Sequence, residues 1–317
     1  MRTLAFLLLL CGSMVHGDED LASLHFLVPG GAGGGWDTTA RATGSALIAA
    51  GLVDSVSFEN RSGAGGGRGF STMLDPRART LSMVMVSSTP ILVRSQRSEY
   101  RQNWRQLTPV ASMIGDYGAI MVRADAPLQS LAQLVDALRA DPRAIKFAGG
   151  SNRGDTDHLI LAAVFQAVGL EPAQARYVPY GAGGQAMLAL LSGETGALAS
   201  TVGESIHQVR AGNVRVLAIL APERLPELPR VPTFTESGYP VEFLNWRGFF
   251  AVPDLEAVQR DRLIDVLTRL RSTEAWQAML RRYSWVPVFH AGDDFARYLD
   301  SQETQIRALM HALGFLG

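Results

Sequence analysis

The sequence contains a single cysteine, Cys11, which lies in an N-terminal segment with the pattern of an export signal. Arg2 supplies the charged start, residues 4–10 form the apolar core, and residues 15–17 offer a cleavage site. The apolar run is too short to span a bilayer as a stable helix. We predict that residues 1–17 are a signal peptide and that the exported, mature chain has neither a disulfide nor thiol chemistry.

Neither sign of charge is in excess, because 29 lysines and arginines are matched by 30 aspartates and glutamates. A chain without a basic surplus gives no electrostatic reason to bind nucleic acid or an anionic membrane. No segment after the signal is long and apolar enough for a transmembrane helix. We therefore expect a soluble protein that binds no nucleic acid and is not embedded in a membrane.

The motifs that hold nucleotides are also missing. The stretches PGGAGGGWD and NRSGAGGGRG place Trp36 and Arg68 where a G-x-G-x-x-G motif needs its third glycine. A P-loop needs a lysine after its glycines, whereas the only lysine, Lys146, follows Ile145. The sequence thus gives no reason to expect a nucleotide or any other cofactor.

Recognisable catalytic motifs are lacking as well. There is no H-E-x-x-H pair, and the stretch GGSNR departs from the G-x-S-x-G elbow at its last position. His158 stands near Asp155 and Asp157, but a metal site needs three or more ligands, so we favour a helix cap and a local hydrogen bond. We expect neither an enzyme nor a metal site.

What the sequence does have is an alternation of short apolar runs and helical periods, which is typical of βαβ units with a largely parallel sheet. Strands are predicted at residues 25–28, 56–59, 81–86, 119–122, 145–148, 176–178, 197–200 and 214–220. Helices are predicted at 37–50, where Asp37 serves as the cap, at 156–168, between Gly184 and Gly193, and between Gly203 and Gly212. Three amphipathic helices follow at 255–270, 274–282 and 293–313. In the last, Phe295, Leu299, Ile306, Met310 and Leu313 share one face.

Two stretches with glycines beside strand patterns, residues 115–126 and 239–252, are interpreted as crossings between two lobes. Lobe 1 then comprises residues 18–118 and 240–317, and lobe 2 comprises residues 119–239. The glycine-rich loops recur where predicted strands lead into helices, which in an open α/β sheet is the edge where ligands bind. Helix N-termini at that edge direct free N–H groups and partial positive charge toward a ligand. The sequence therefore favours a non-catalytic anion site built mainly from backbone donors.

An ordered set of segments resembles one family, namely PGGAGGGWD, NRSGAGGGRG, GDYGAIMVRADAPLQSLAQL, YVPYGAGGQAMLALLSGE, VRVLAILAPERLPELPRVPTFTESGYP and NWRGFFAVP. They resemble the solute-binding proteins of tripartite tricarboxylate transporters (the TctC/Bug family), over nearly the whole mature chain. The resemblance implies an α/β fold of the type II periplasmic-binding-protein kind, with two lobes, open and mostly parallel sheets flanked by helices, and a ligand cleft between the lobes. It implies a periplasmic monomer without cofactor that captures a small carboxylate, citrate-like or another tri- or dicarboxylate, and delivers it to the membrane subunits of such a transporter.

The resemblance also places the ligand carboxylate on the loops after the first strand of each lobe. In this sequence these loops carry Gly33, Gly34, Gly35, Trp36 and Asp37 in lobe 1, and Ser151, Asn152, Gly154, Asp155 and His158 in lobe 2. The glycines let a carboxylate approach the backbone without contact to a Cβ atom. Asp37 is interpreted as a cap that shapes its loop, and Trp36 is either a cleft wall or a packing anchor.

Further candidates come from other strand ends. Ser87, Ser88 and Thr89 can supply hydroxyl donors or form a simple turn with Pro90, and Tyr180, Gly183 and Gly184 form another facing turn. Arg247 can offer a charged fork to a second carboxylate, or it can belong to a surface ion pair.

One feature argues against a simple tricarboxylate. Asp155 and Asp157 lie beside the expected carboxylate site with only Arg153 to compensate them, and negative side chains repel an anion unless they are paired or meet a donor on the ligand. An amino acid or a dicarboxylate with a donor group therefore stays open as the ligand. A sensory role, in which the same fold presents its ligand to a membrane histidine kinase, stays open as well.

Overall fold

In the computed structural model, which describes residues 21–77, 82–97 and 100–316, ten strands join in one sheet. The predicted signal peptide and residue 81 of a predicted strand lie outside the described residues. The strands are β1 (Ser23–Val28), β2 (Ser55–Asn60), β3 (Met83–Ser88), β4 (Thr108–Arg123), β5 (Lys146–Gly149), β6 (Arg176–Pro179), β7 (Ala197–Thr201), β8 (Val214–Ile219), β9 (Leu244–Ala251) and β10 (Val286–Pro287). Each of the eight predicted strands overlaps one of these, with ends that agree within a few residues except in β4.

The sheet has two parallel wings joined by antiparallel strands. Its order is β2-β1-β3-β9-β4-β7-β5-β6, and β8 and β10 also pair with β4. Strand β1 pairs in parallel with β2 and β3, and β5 pairs in parallel with β6 and β7. Between these wings, β9 runs antiparallel to both β3 and β4.

Strand β4 extends well beyond its predicted residues 119–122. It pairs with β9 from Thr108 to Tyr117, and from Gly118 onward it pairs with β7 and β8. Pro109 and Gly115 interrupt the strand pattern of its first half, because such residues are poorly suited to a strand interior. The sequence pattern therefore indicates only residues 119–122, which are continuously apolar.

Ten α-helices flank the sheet in the described part of the chain. They are α1 (Gly35–Ala49), α2 (Gly67–Leu74), α3 (Thr89–Gln96), α4 (Leu131–Ala140), α5 (Thr156–Ala167), α6 (Gly183–Leu191), α7 (Val202–Arg210), α8 (Ala257–Leu270), α9 (Glu274–Tyr283) and α10 (Gly292–Ala312). The seven predicted helices are confirmed within a few residues, and α2, α3 and α4 are additional. None of the helices within residues 21–77, 82–97 and 100–316 combines the length and apolar character that a membrane crossing requires.

The last helix, α10, packs against the sheet through the face that its periodicity predicts. Phe295, Leu299, Ile306 and Met310 are buried in the largest core cluster, whereas Leu313 is half-buried at its edge. The ring of Phe295 meets the indole of Trp246 on β9, with 5.5 Å between centroids. Successive side chains of a strand alternate between faces, so the next residue of β9, Arg247, points to the other side of the sheet.

Candidate functional site

A cleft of about 290 Å³ lies where five strand-to-helix loops and strand β9 converge. The loops follow β1, β2, β3, β5 and β6, and α7 adds Glu204 from its first turn. The lining residues are Pro29, Gly30, Gly31, Gly34, Gly35, Trp36, Ser62, Gly63, Gly65, Gly66, Ser88, Pro90, Gly150, Ser151, Asn152, Asp155, Thr156, Asp157, Tyr180, Gly181, Ala182, Gly183, Glu204, Asn245 and Arg247. The glycine-rich segments singled out in the sequence thus meet at one place.

The first loop leaves the start of helix α1 without a side-chain cap. The cap residue is Gly34, not Asp37 as predicted, and within the described part of the chain no side chain accepts a capping hydrogen bond from the first N–H groups of this helix. Asp37 lies in the first turn, where its carboxylate accepts the N–H of Gly33 at 2.8 Å and contacts from Arg41 and Asn60. It therefore shapes the loop, as we predicted, but does so by bonding a glycine whose φ is +77°.

The carboxylate of Asp37 is stabilised in its charged form. Burial by itself would raise its pKa, but hydrogen bonds from Arg41, from the Gly33 N–H and from Asn60 outweigh burial and lower the pKa below the ordinary value. Asp37 is 3% exposed and does not line the cleft.

Trp36 acts both as a wall of the cleft and as a packing anchor. Its indole N–H donates to the hydroxyl of Ser88 at 2.9 Å. A Cβ atom on Gly30 or Gly66 would lie 3.0 or 3.1 Å from the indole ring, so these glycines leave room for it. Ser88 lines the cleft with its hydroxyl engaged by Trp36, whereas Ser87 and Thr89 are buried outside the lining. Of the three predicted hydroxyl donors the cleft thus contains Ser88, whose oxygen accepts from Trp36 and whose O–H can still donate.

In the second loop, between β5 and α5, side chains accept hydrogen bonds from the backbone N–H groups of the same loop. Asp155 caps α5, as predicted, by accepting the N–H of Thr156 at 2.8 Å. Asp157 accepts the N–H of Gly150 at 2.6 Å and donates its own N–H to the hydroxyl of Ser151 at 2.9 Å. Three of the loop N–H groups are thus bonded by side chains of the same loop.

His158 has the local role that we favoured from the sequence. Its Nδ1 accepts the N–H of Gly154 at 2.9 Å, and its ring stacks on Tyr177 with 4.4 Å between centroids. Burial, with a smaller effect of Arg153, lowers the pKa of His158 to about 4, so the ring is neutral at pH 7. His158 and Gly154 support the loop and do not line the cleft.

Two acidic side chains of the second loop do line the cleft. Burial raises the pKa of Asp155. Burial also raises the pKa of Asp157 well above its ordinary value, and the negative charge of Glu204 adds to this effect. Both carboxyl groups are therefore easier to protonate than an ordinary aspartate.

The third loop places the start of helix α6 against the second loop. Helix α6 begins at Gly183 with Ala182 as its cap, and no side chain bonds to this end. A Cβ atom on Gly150 would overlap the backbone of Gly183, so the two loops are in close contact. The hydroxyl of Tyr180 donates to Glu194 at 2.8 Å, although Tyr180 lines the cleft.

Arg247 belongs to a buried charge network and not to a surface ion pair. It is 1% exposed, and its Nη2 lies 2.6 Å from Oε1 of Glu204 and 3.4 Å from Oδ2 of Asp116. Asp116 also accepts from the hydroxyl of Thr201 at 2.7 Å and from the N–H of Gly203 at 2.8 Å. Burial raises the pKa of Asp116 to about 6, although Arg247 and these hydrogen bonds oppose the shift.

Ten of the seventeen residues predicted to bind the ligand line the cleft: Gly34, Gly35, Trp36, Ser88, Ser151, Asn152, Asp155, Tyr180, Gly183 and Arg247. Gly33 and Gly184 line a neighbouring cavity of about 420 Å³, which shares Gly34, Gly35, Gly183, Glu204 and Arg247 with the cleft. Sequence reasoning missed Glu204 and Asn245. Glu204 follows Gly203 at the start of a predicted helix, where a glutamate is ordinarily exposed to solvent, so its sequence position gives no signal. For Asn245 the signal is its place two residues before Arg247 in a strand, which puts the two side chains on one face.

The chain matches known proteins in sequence and in fold. The family profile described as "Tripartite tricarboxylate transporter family receptor" matches residues 41–315. Protein BugT of Bordetella pertussis is 32% identical over 263 residues, which are 80% of this chain and 76% of BugT. The solved structure of the periplasmic binding protein BugD superposes with a TM-score of 0.80 at 21% identity, over 92% of this chain and 97% of BugD. The R. palustris protein Rpa4515 with adipate gives a TM-score of 0.82 at 22% identity, over 92% and 97% of the two chains. The two structures confirm the predicted periplasmic-binding-protein fold.

Proposed function

The chain belongs to the tripartite tricarboxylate transporter receptor family, and from this we propose that it captures a small organic acid in its cleft. We further propose that it acts outside the cytoplasm and delivers the acid to the membrane subunits of such a transporter. The family is one of solute-binding receptors, which supports a role without turnover.

The observation that carries the choice of an acid is the convergence of three positive groups on one cleft. Helices α1 and α6 start at the cleft with Gly34 and Ala182 as caps, and among residues 21–77, 82–97 and 100–316 no side chain caps the N–H groups of either start. Their first N–H groups and partial positive charge favour an anion by about 0.3–1 kcal/mol per helix, and by up to about 2 kcal/mol when partly buried. Arg247 adds a buried guanidinium, which suits a carboxylate.

The size and acidity of the cleft narrow the class of acid. Its volume of about 290 Å³ is at the low end for small-molecule sites, which favours a compact ligand. Asp155, Asp157 and Glu204 also line it, so an acid with many charges would be repelled unless these groups hold protons or meet donors. We propose a di- or tricarboxylate of citrate size or smaller, and a hydroxyl or ammonium donor on it would find acceptors here.

We also propose that the two lobes of the sequence analysis, residues 18–118 with 240–317 and residues 119–239, move relative to each other when the ligand binds. This division is supported by strand β4, which changes its partners after Tyr117. It is supported as well by the ion pair between Glu204 and Arg247, because these residues come from different proposed lobes. Closure around a ligand by hinge motion is a common mechanism in two-lobed receptors.

Thermal unfolding of the purified protein against a panel of acids tests the proposed function. The panel contains citrate, malate, succinate, glutarate, adipate, aspartate and glutamate, with butyrate as a monocarboxylate. An acid present at 100 times its Kd stabilises the folded state by about 2.7 kcal/mol. We expect a rise of several degrees in Tm with at least one di- or tricarboxylate.

Two controls make this test decisive. A shift produced equally by sodium chloride at matched ionic strength would reflect screening and would contradict a specific site. Absence of any shift, in protein shown by mass spectrometry to be free of ligand, would overturn the proposal of a carboxylate. Calorimetric titration of the strongest stabiliser then gives its Kd.

A further inference from the structure

The carboxylate of Glu204 already sits where the positive groups of the cleft converge. Its Oε1 is 2.6 Å from Nη2 of Arg247. A Cβ atom on Gly35, the first residue of α1, would overlap this carboxylate, and one on Gly183, the first residue of α6, would lie 2.9 Å from Oε2. Glu204 thus places an anionic group against Arg247 and beside both uncapped helix starts.

Glu204 is the exchangeable member of the ion network. Asp116 is fully buried and holds contacts with Thr201, Gly203 and Arg247. The side chain of Glu204 is 30% exposed, and its one hydrogen bond within the described part of the chain is the bond to Arg247. If the bond between Glu204 and Arg247 breaks, the guanidinium therefore stays paired with Asp116. The Glu204 side chain can then turn into solvent at little cost.

A second residue of β9 has unused hydrogen-bonding capacity in the same cleft. Asn245 is 4% exposed and lines the cleft, and in residues 21–77, 82–97 and 100–316 its buried Oδ1 has no partner. Asn245 and Arg247 are two residues apart on one strand, so their side chains lie on the same face about 7 Å apart along it. A buried amide oxygen without a partner destabilises the unliganded cleft, and a hydrogen-bond donor on the ligand, such as a hydroxyl or ammonium group, would satisfy it.

We propose that Arg247 forms the subsite for a second carboxylate of the ligand, and that Glu204 occupies this subsite with its own carboxylate until the ligand displaces it. Asn245, beside it on β9, accepts a hydrogen bond from a hydroxyl or ammonium group of the ligand. The inference rests on the proposed function, since it requires an organic acid as the ligand. The first carboxylate of the acid then lies nearer the start of α1, and the second exchanges with Glu204 at Arg247. Glu204 is a tethered competitor, which lowers the affinity for every di- or tricarboxylate but not for a monocarboxylate.

The variants Glu204→Asp and Glu204→Ala separate competition from simple charge repulsion. Aspartate keeps the charge but retracts the carboxylate by about 1.5 Å, which moves it beyond hydrogen-bond distance of Arg247. We expect both variants to bind succinate, malate, adipate or citrate, whichever the protein binds, about tenfold more tightly than the wild type. A gain of this size corresponds to occupancy of Arg247 by Glu204 in roughly nine-tenths of the unliganded molecules. The Kd is measured by calorimetric titration.

Matched controls accompany this experiment. Glu223→Ala removes the same charge from an exposed side chain that does not line the cleft, and we expect an unchanged Kd. Butyrate, which has one carboxylate, should gain nothing from either Glu204 variant. Asn245→Leu keeps the size of the side chain but removes the acceptor. We expect it to weaken binding of malate about tenfold, while its effect on succinate, which lacks the hydroxyl group, is small.

Three results would overturn the inference. Tighter binding by Glu204→Ala but not by Glu204→Asp would show that only net charge matters. Weaker binding by both would show that Glu204 itself contacts the ligand. If the wild type binds an acid and no Glu204 or Asn245 variant changes its Kd, the subsite does not exist but the proposed function stands. If no form of the protein binds any acid, the proposed function itself is contradicted.

Discussion

The loops after β1 and β5 each carry an aspartate in the first turn of the following helix, and each aspartate accepts the N–H of a glycine earlier in its loop. Asp37 accepts from Gly33 and Asp157 accepts from Gly150. The surroundings of the two carboxylates differ. Arg41 and Asn60 donate to Asp37, whereas Asp157 is buried and meets the negative charge of Glu204.

These surroundings shift the two carboxyl groups in opposite directions. Hydrogen bonds overcome burial at Asp37 and lower its pKa, while burial and Glu204 raise the pKa of Asp157. The helix starts differ as well, because Gly34 caps α1 without a side-chain bond and Asp155 caps α5 through its side chain. Glycine-containing loops at equivalent places in the sheet can therefore either leave helix donors open to a ligand or satisfy them internally, and the short polar side chains decide which.

The largest effect on stability that we predict is for Gly150 in the second loop, in contrast to Gly31 in the first. In Gly150→Ala the new Cβ would overlap the backbone of Gly183, which cannot move aside as a flexible side chain can. We expect a loss of about 3 kcal/mol in the free energy of unfolding. Gly31→Ala meets nothing within 4 Å and should change stability by less than about 1 kcal/mol. Urea unfolding of both variants checks this, and equal losses would show that the loops are not packed differently.

How far the sequence could predict this site depends on the kind of contact. The loops and helix starts were predictable, because strand-to-helix order and glycine clusters are local signals. The sequence assigns the cap of α1 to Asp37 and not to Gly34, because an aspartate before a helical period is the usual cap. The hydrogen bond from Gly33 to Asp37 has no signature of its own in the sequence. Such a bond depends on a backward turn of the loop that only the structure defines.

Contacts between distant parts of the chain were beyond sequence reasoning. Arg247 was assigned either to the ligand or to a surface ion pair, because nothing in a single sequence joins it to Asp116 and Glu204. The antiparallel pairing of β9 with β3 and β4 brings these groups together, and that pairing follows from the order of strands in the sheet. Buried charge networks of this kind are set by topology and not by local pattern.

An intermediate effect is expected for Asp37→Ala. Loss of a buried carboxylate that accepts from Gly33, Arg41 and Asn60 should cost about 2 kcal/mol in the free energy of unfolding at pH 7. Because the pKa of Asp37 is lowered in the folded state, its contribution is complete above the ordinary pKa of 3.8 and is lost as the pH falls through the folded value. The difference from wild type should therefore shrink below pH 4.

Urea unfolding at pH 7 and at pH 3 measures this dependence, and the exposed Asp54→Ala serves as control with an expected change within about 0.5 kcal/mol. A loss that is equal at both pH values would contradict the electrostatic part of the explanation. A fall in ligand affinity without a loss of stability would assign Asp37 to the ligand in place of the loop.

The smallest effect that we predict is a gain in stability, and it comes from a substitution in the second loop. Asp157→Asn keeps an oxygen that can accept the N–H of Gly150 but removes the buried charge near Glu204. Because the pKa of Asp157 is raised in the folded state, the wild type loses stability as the pH rises above the ordinary value of 3.8, whereas the variant does not. We expect the variant to equal the wild type near pH 4 and to be more stable by about 1 kcal/mol at pH 7. We would measure the urea unfolding of Asp157→Asn and Asp37→Asn from pH 4 to pH 7. If both variants lose stability at pH 7, the two aspartates serve as equivalent charged anchors, and the contrast between the loops does not hold.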